Sequence, residues 1–458
     1  MRGGRRFARG RGVVVASATI LAVGACRDRQ GAPRGEVTTT PGWVVSLGGA
    51  EDQELSGVAL DRDGVVVVGT FYGAVETPTG VLRSQGYGDV LVARVDGRGQ
   101  VAWARALGSP KADFGWAVAA GADGAVIAIE ADGTIDVDGA RTRTPAQEAA
   151  GFDLPILISL DEAGRRRWLS TLASEEIGAM RTVASRGDAI VAGGRATGRD
   201  ATRDLGAGEA DCDQRAAVVG RWDASGRLQW TRCGHTRFGV TSQLVEQVAI
   251  AADDDVVACG QFAEGPLAFD GTDEVEAGDD APALFVVRLG AAGTPRWLRG
   301  VDGQTLANGC GGVAVAADGT ALVASNADGR LGGVELPGAE VVALSVDGAT
   351  RWVASVRQAL GEDRGRVTAL ALDGDQVWAA VWAKRRGVLL AFDVATGARR
   401  GEPIELGGVE PAALAAGDRL YVAGRFAGDA TILGRALQAR GEHDAVVLAV
   451  PRPGGAGG

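Results

Sequence analysis

The residue types that usually carry catalysis are sparse in this chain of 458 residues, which has two histidines and three tyrosines. His235 lies two residues after Cys233, and His443 precedes Asp444. Isolated loop histidines of this kind are ordinarily solvated, and two of them leave little room for a His-rich metal centre or a proton relay. There is no Gly-x-Ser-x-Gly elbow and no phosphate-binding P-loop, and no serine stands at a suggestive spacing from a histidine. A Ser-His-Asp set could assemble only through the tertiary fold. No catalytic residue and no cofactor is assigned, and the expectation is a protein that is not an enzyme. Oxygen ligands are the other candidate chemistry. Segment 264–280 holds Glu264, Asp270, Asp273, Glu274, Glu276, Asp279 and Asp280 without a Lys or Arg, and smaller sets stand at Asp132, Asp136 and Asp138 and at Asp211 and Asp213. Calcium favours oxygens on irregular loops. However, Asp61-Arg62-Asp63-Gly64 is only a fragment of a calcium loop, so no metal ligand is assigned and the 264–280 acids are read as a candidate binding face.

Cysteine chemistry is more specific. Cys212, Cys233, Cys259 and Cys310 show no Cys-x-x-Cys spacing for a metal. Cys212 precedes an apolar run at 216–222 and Cys233 follows its expected hairpin partner, so a ladder turning near 223–226 sets the two roughly opposite each other. A Cys212–Cys233 disulfide is expected, and Cys259–Cys310 follows by elimination.

Composition narrows the classes. Lys and Arg total 47 against 58 acids, a formal charge of −11, which argues against nucleic-acid binding. Hydrophobic residues reach 46%, enough for a sizeable core. Residues 1–25 contain Arg2, Arg5, Arg6, Arg9 and Arg11 and no acid, and an apolar stretch at 13–25 runs up to Cys26. That stretch is shorter than the roughly 20 residues of a spanning helix and has the form of a secretory signal. Val23-Gly24-Ala25-Cys26 resembles the bacterial lipoprotein signal, which implies that Cys26 becomes the acylated first residue of the mature chain. The alternative is ordinary cleavage with Cys26 as a stray thiol. Lipidation of one of the five cysteines leaves an even four. Loss of residues 1–25 takes the formal charge from −11 to −16, so no attraction to anionic lipid is expected beyond the anchor. The expected organisation is a signal peptide at 1–25, a lipidated Cys and flexible tether at 26–42, a folded body at 43–450 and a disordered Pro/Gly tail at 451–458.

The elements that must position any site come from a repeat. Trp recurs at 43, 103, 168, 230, 297 and 352, with spacings of 60, 65, 62, 67 and 55 residues. Asp96, Gly99 and Trp103 recur as Asp161, Gly164 and Trp168 and as Asp223, Gly226 and Trp230; Gly293-to-Trp297 lacks the Asp, and Asp393 and Gly397 lack the Trp. Runs of β-formers precede each motif, at 90–95, 156–160, 216–222, 284–289, 341–346, 388–392 and 445–450. Tight Asp/Gly turns at 61–64, 122–124, 186–188, 253–255, 317–319, 373–375 and 417–418 each separate two short apolar runs. Each copy reads as a four-stranded meander, and radial stacking buries both faces of such sheets. The expectation is an all-β, seven-bladed β-propeller of four-stranded antiparallel blades. Residues 43–46 would form a strand that completes the C-terminal blade and closes the ring.

Gly69-Thr70-Phe71, Gly260-Gln261-Phe262 and Gly424-Arg425-Phe426, with the Asp/Gly/Trp series, resemble the bacterial β-propeller repeat called SBBP and the extracytoplasmic lipoproteins built from it. The resemblance spans roughly 43–450 and is looser in the second, fifth and sixth copies. It implies a propeller but no defined activity, catalytic residue or ligand. Phe392-Asp393-Val394-Ala395-Thr396-Gly397 resembles the quinoprotein (PQQ-like) repeat, yet only this copy carries the Thr-Gly pair. The loops expected between second and third strands, 71–88, 130–153, 194–214 and 263–282, share one face with connections such as 299–311. Long loops on a rigid scaffold are where binding usually resides. The functional expectation is therefore a monomeric, non-catalytic binding or scaffold lipoprotein of the cell envelope. It would be anchored to the outer membrane, on the periplasmic side or the cell surface, and would engage a protein or an envelope glycan through an acidic face centred on the ring axis. An envelope assembly factor resembling PQQ-like propeller lipoproteins is the second reading, and a hydrolase or redox enzyme the third.

Overall fold

The computed structural model describes residues 42–121, 124–143, 153–171, 178–196, 212, 216–235, 242–263, 265–277, 282–362 and 365–453. Cys26, the segments read as signal and anchor, residues 454–458, and Asp211, Asp213, Glu264, Asp279 and Asp280 lie outside the described residues.

Strand β1 (Trp43–Leu47) is followed by a four-stranded blade, β2 (Gln53–Asp61), β3 (Gly64–Phe71), β6 (Asp89–Asp96) and β7 (Val101–Leu107), with a small ribbon, β4 (Ala74–Thr77) and β5 (Gly80–Arg83), in the loop between β3 and β6. The second blade is β8 (Asp113–Gly121), β9 (Gly124–Ala131), β12 (Leu154–Asp161) and β13 (Arg166–Thr171), with β10 (Asp136–Val137) and β11 (Ala140–Arg141) as its ribbon. The third is β14 (Ala179–Arg186), β15 (Ala189–Ala196), β16 (Ala216–Trp222) and β17 (Leu228–Cys233). A wide eight-stranded sheet comes next: β18 (Ser242–Ile250), β19 (Val256–Ala263), β20 (Ala283–Leu289), β21 (Pro295–Val315), β22 (Ala321–Leu331), β23 (Val334–Pro337), β24 (Glu340–Leu344) and β25 (Thr350–Ser355). One helical turn, α1 (Val356–Leu360), capped by Ser355, leads to the blade of β26 (Arg366–Asp373), β27 (Gln376–Ala383), β28 (Arg386–Asp393) and β29 (Arg399–Glu405). The last blade holds β30 (Val409–Ala416), β31 (Leu420–Phe426) and β34 (Asp444–Val450), with β32 (Asp429–Ile432) and β33 (Arg435–Gln438) as a ribbon.

The all-β propeller expectation holds, but seven separate four-stranded blades do not. The described strands form five four-stranded blades and one double-width sheet. The 21-residue β21 overturns the expected count, because it runs unbroken through residues expected to form a loop, 299–311. Its first part pairs with β20 and its later part with β22; between them Val301 faces Leu331 and Thr305 faces Ala327. The glycines at 300, 303, 309, 311 and 312 make this stretch read as loop, but the added ladder buries Val301, Ala327, Leu331 and Leu336 in one apolar cluster with Trp297 and Cys310. Closure by the first strand is present: β1 runs antiparallel to β34, from Trp43 opposite Ala449 to Leu47 opposite Ala445. The inner strands β2, β8, β14, β18, β21, β26 and β30 touch in that order, and β30 returns to β2. The core is spread as apolar slabs between neighbouring sheets, such as the slab that unites Val191 and Val219 with Val245, Phe262 and Phe285.

The Trp series locks one sheet element to the next. The Trp43 indole N–H donates to the Gly97 carbonyl at 3.1 Å, Trp103 to Glu162 at 2.8 Å, Trp168 to Ala224 at 2.9 Å, Trp230 to Ala291 at 2.9 Å, Trp297 to Val346 at 2.8 Å and Trp352 to Val394 at 3.0 Å. The turn glycine of the motif lies against the same ring: a Cβ on Gly226, which has φ +83°, would stand 2.5 Å from Trp168. Only glycine combines that positive φ with so close an aromatic approach. The motif Asp shapes the turn; the Asp96 Oδ1 accepts from the backbone N–H of Arg98 and Gln100, both at 2.9 Å.

Candidate functional site

Each inner strand carries a β-bulge near its loop-side end. Leu55 and Gly57 face Gly69 and Val68, which leaves Ser56 unpaired; the ladders likewise skip Trp116, Arg181, Glu246, Thr368 and Ala412, and Gly311 within β21. A bulge re-aims the extra side chain, and every one of these residues lines the axial channel. The mouth of that channel is a cavity of about 310 Å³. Below it a narrower shaft of about 120 Å³ runs past Ala119, Val183 and Ala415 toward the tight turns.

Charged groups at the mouth fall into two sets. One is a continuous row: the Arg425 guanidinium donates to Glu54 at 2.9 Å and to Glu410 at 3.1 Å, and Glu410 also receives Arg366. The other is built on an aromatic. The Arg181 guanidinium carbon lies 3.4 Å from the Trp116 ring centroid, Trp116 donates to Glu130 at 3.0 Å, and the Arg181 Nη2 stands 3.6 Å from the same Glu130 oxygen. Burial pushes the Glu130 carboxyl up, against the pull of Arg181, and lowers the basicity of Arg181, against the pull of Glu130. The Glu246 Oε2 accepts from the Cys310 N–H at 2.8 Å. Burial raises Glu246 to about 7, opposed by that hydrogen bond and by Arg181. A concave site with an aromatic face, alternating donors and acceptors and a strongly perturbed carboxyl is suited to binding a polar ligand.

No motif in the sequence marks these residues. A signal is present in the glycines of the Gly-x-Phe elements, Gly69, Gly260 and Gly424, and in Gly194 of the third blade: each pairs with the residue just before a bulge, and a Cβ there would meet a first-strand carbonyl oxygen at 1.9, 1.9, 2.1 and 1.8 Å. The glycine makes room for the bulged strand, so the residue diagonal to it points into the channel.

The predicted residues are placed elsewhere. Both disulfides form, Cys212–Cys233 with a Cα separation of 5.4 Å and Cys259–Cys310 with 6.0 Å. Direct opposition is not the route for the first, because Cys233 faces Val218 in the ladder and Cys212 lies ahead of β16. Asp270 meets the His235 Nε2 at 3.3 Å on a loop held down by buried Leu267 and Phe269. Asp270, Asp273, Glu274 and Glu276 do not line the axial channel. His443 joins the two ends of the ring: its N–H donates to Asp52 at 3.0 Å and its carbonyl accepts from Gln53 at 3.1 Å. Among the described residues no three His, Cys, Asp or Glu side chains converge in a way that could hold a metal ion, and no helix is long and apolar enough to cross a membrane.

No family model matches the chain, and no curated protein matches it. Among solved structures it is similar to the β-propeller domain of the trilobed protease from Pyrococcus furiosus, at 10% identity over 84% of this chain and 97% of that one, with a TM-score of 0.45. It is also similar to the Dos1 propeller, at 8% identity over 89% and 96% with a TM-score of 0.44, and to the polysaccharide lyase Uly1, at 8% identity over 86% and 89% with a TM-score of 0.46. At these identities the likeness concerns the fold alone, and the SBBP relationship stays a resemblance.

Proposed function

We propose that this protein is an extracytoplasmic binding module, tethered by a lipidated Cys26, that holds an envelope glycan at the mouth of its axial channel. The carrying observation is the convergence of bulged residues on a cavity of about 310 Å³, bordered by Trp116, Arg181 and Arg366. That size suits a small number of sugar rings, and a protein partner would need a broader surface than the cavity provides. Two further features support the reading. The two disulfides fit an oxidising compartment. In addition, β1 starts beside the tight turns, where Trp43 reaches Gly97, and runs toward the loop face. The tether therefore leaves from the side opposite the cavity mouth. Anchored from that side, the mouth would face away from the lipid. Binding of the mature chain to immobilised envelope polysaccharide fractions tests the reading. Wild type should be retained and Trp116→Ala released at least tenfold more readily; equal retention of the two contradicts it. A second reading, catalysis at the same cavity, is favoured by the position of Glu246 near neutrality, and shortened glycan chains detected by mass spectrometry would support it.

A further inference from the structure

The two sides of the cavity are unequally served by the protein's own groups. The Glu54–Arg425–Glu410–Arg366 row pairs each charge with an opposite one. Arg181 is matched only loosely, by Glu130. The Glu130 Oε2 is 3.6 Å from its Nη2, longer than a hydrogen bond, and its Nε, like that of Arg366 in the row, is buried with no hydrogen-bond partner. Only 26% of the Arg181 side chain is exposed, so water cannot fully replace the missing bonds. The Nη donors, not fully spent within the protein, are the ones a ligand in the cavity can complete. A guanidinium is planar, permanently charged and presents a fixed fork of donors whose direct complement is a planar oxyanion.

Building on the glycan reading, we propose that the axial site takes an acidic sugar, whose carboxylate binds the Arg181 guanidinium beside Trp116 in the cavity that Glu246 also lines. The groups around Glu246 make this arrangement depend on pH. Arg181 from β14 and the Cys310 N–H from β21 act on it directly. Glu130 from β9 and Arg195 from β15 stand beside Arg181, and Glu54, Arg366, Glu410 and Arg425 complete the charged lining in their mutually paired row. Burial places the Glu246 ionisation at about 7. Below that, Glu246 leaves the Arg181 charge to the ligand and can donate its own proton in a hydrogen bond. Above it, the Glu246 carboxylate competes for Arg181 and repels the sugar acid.

Calorimetry on the mature, disulfide-bonded chain with trigalacturonate, its carboxyl-reduced neutral trisaccharide and inorganic phosphate tests the proposal. Trigalacturonate should bind at pH 6 at least tenfold more tightly than the neutral sugar. Its affinity should fall about tenfold between pH 6 and 8, the amount expected from one linked proton with a midpoint near 7. Glu246→Gln should flatten that profile, and Arg181→Gln should remove the preference for the acid; cooperative circular dichroism melts confirm that both variants fold. If the neutral trisaccharide binds as well as the acid, the acidic-sugar proposal is overturned while the glycan reading stands. If no sugar binds, or binding ignores Trp116→Ala, the glycan reading itself falls. Phosphate binding as tightly as trigalacturonate would mark a bare oxyanion site and overturn the sugar assignment.

Discussion

Glu246→Gln is the substitution with the most direct physical consequence for the folded state. The wild-type carboxyl is raised by burial from its ordinary 4.5 to about 7. A carboxyl whose folded value lies above its unfolded value favours the folded state in the protonated form. Stability is thus fully present below pH 4.5, declines as pH rises through 7, and levels off above that. A shift of this size corresponds to about 3 kcal/mol at 1.36 kcal/mol per pH unit. Glutamine stays neutral throughout and keeps an oxygen for the Cys310 N–H. A body of about 400 residues unfolds with roughly 0.8 kcal/mol/K of entropy, so the variant should melt about 4 °C above wild type at pH 8.5 and together with it at pH 4.5. Differential scanning calorimetry across that range measures the difference directly. Other raised acids, Asp89, Asp113 and Glu340 among them, tilt both curves alike and cancel in the comparison. Parallel curves for the two proteins, or a variant less stable at every pH, would refute the claim that burial of Glu246 at the channel mouth is what raises it.

Deletion of 43–47 removes buried Trp43, Val44 and Leu47 and should cost about 6 kcal/mol from their burial alone; a truncated chain that melts with the full-length one contradicts closure by β1. Gly226→Ala, at φ +83° with Trp168 only 2.5 Å from the new Cβ, should cost about 3 kcal/mol or more because the ring must move. Gly187→Ala, at φ +57° with nothing within 4 Å, should cost about 1 kcal/mol, and equal losses in urea melts would discount the Trp lock. Opening the Cys259–Cys310 link, which closes a 51-residue separation, by a double serine substitution should lower stability by about 4 kcal/mol. Peptide mapping without reductant checks both pairings, and free thiols at these positions would be the contrary result.

The strands, the tight turns and the Trp-to-Gly spacing were legible in the chain because each is written locally. Alternation of apolar residues sets a strand face, Asp and Gly set a turn, and a Trp recurring at fixed intervals needs a matching turn to receive it. The N-terminal strand could be assigned to the last blade because the first and last copies were each incomplete. The Cys212–Cys233 pairing followed from the hairpin ladder, although Cys212 meets Cys233 from ahead of its strand, and Cys259–Cys310 followed by elimination. The unbroken β21 was not legible. Its glycines read as loop, and only pairing with 327–331 on a strand that follows makes it a ladder.

The site was not legible for a related reason. Arg181 and Glu246 are 65 residues apart and carry no motif; closure of the ring brings their bulges to one axis. The 264–280 acids are conspicuous in composition, yet those described lie outside the channel. Side-chain alternation and turn chemistry act over a few residues, so the sequence by itself determined the repeated sheet unit. Convergence on the axis and withdrawal of Glu246 from water exist only once the strands are closed into a ring, so the tertiary structure alone decided where charge is buried and what the mouth can bind.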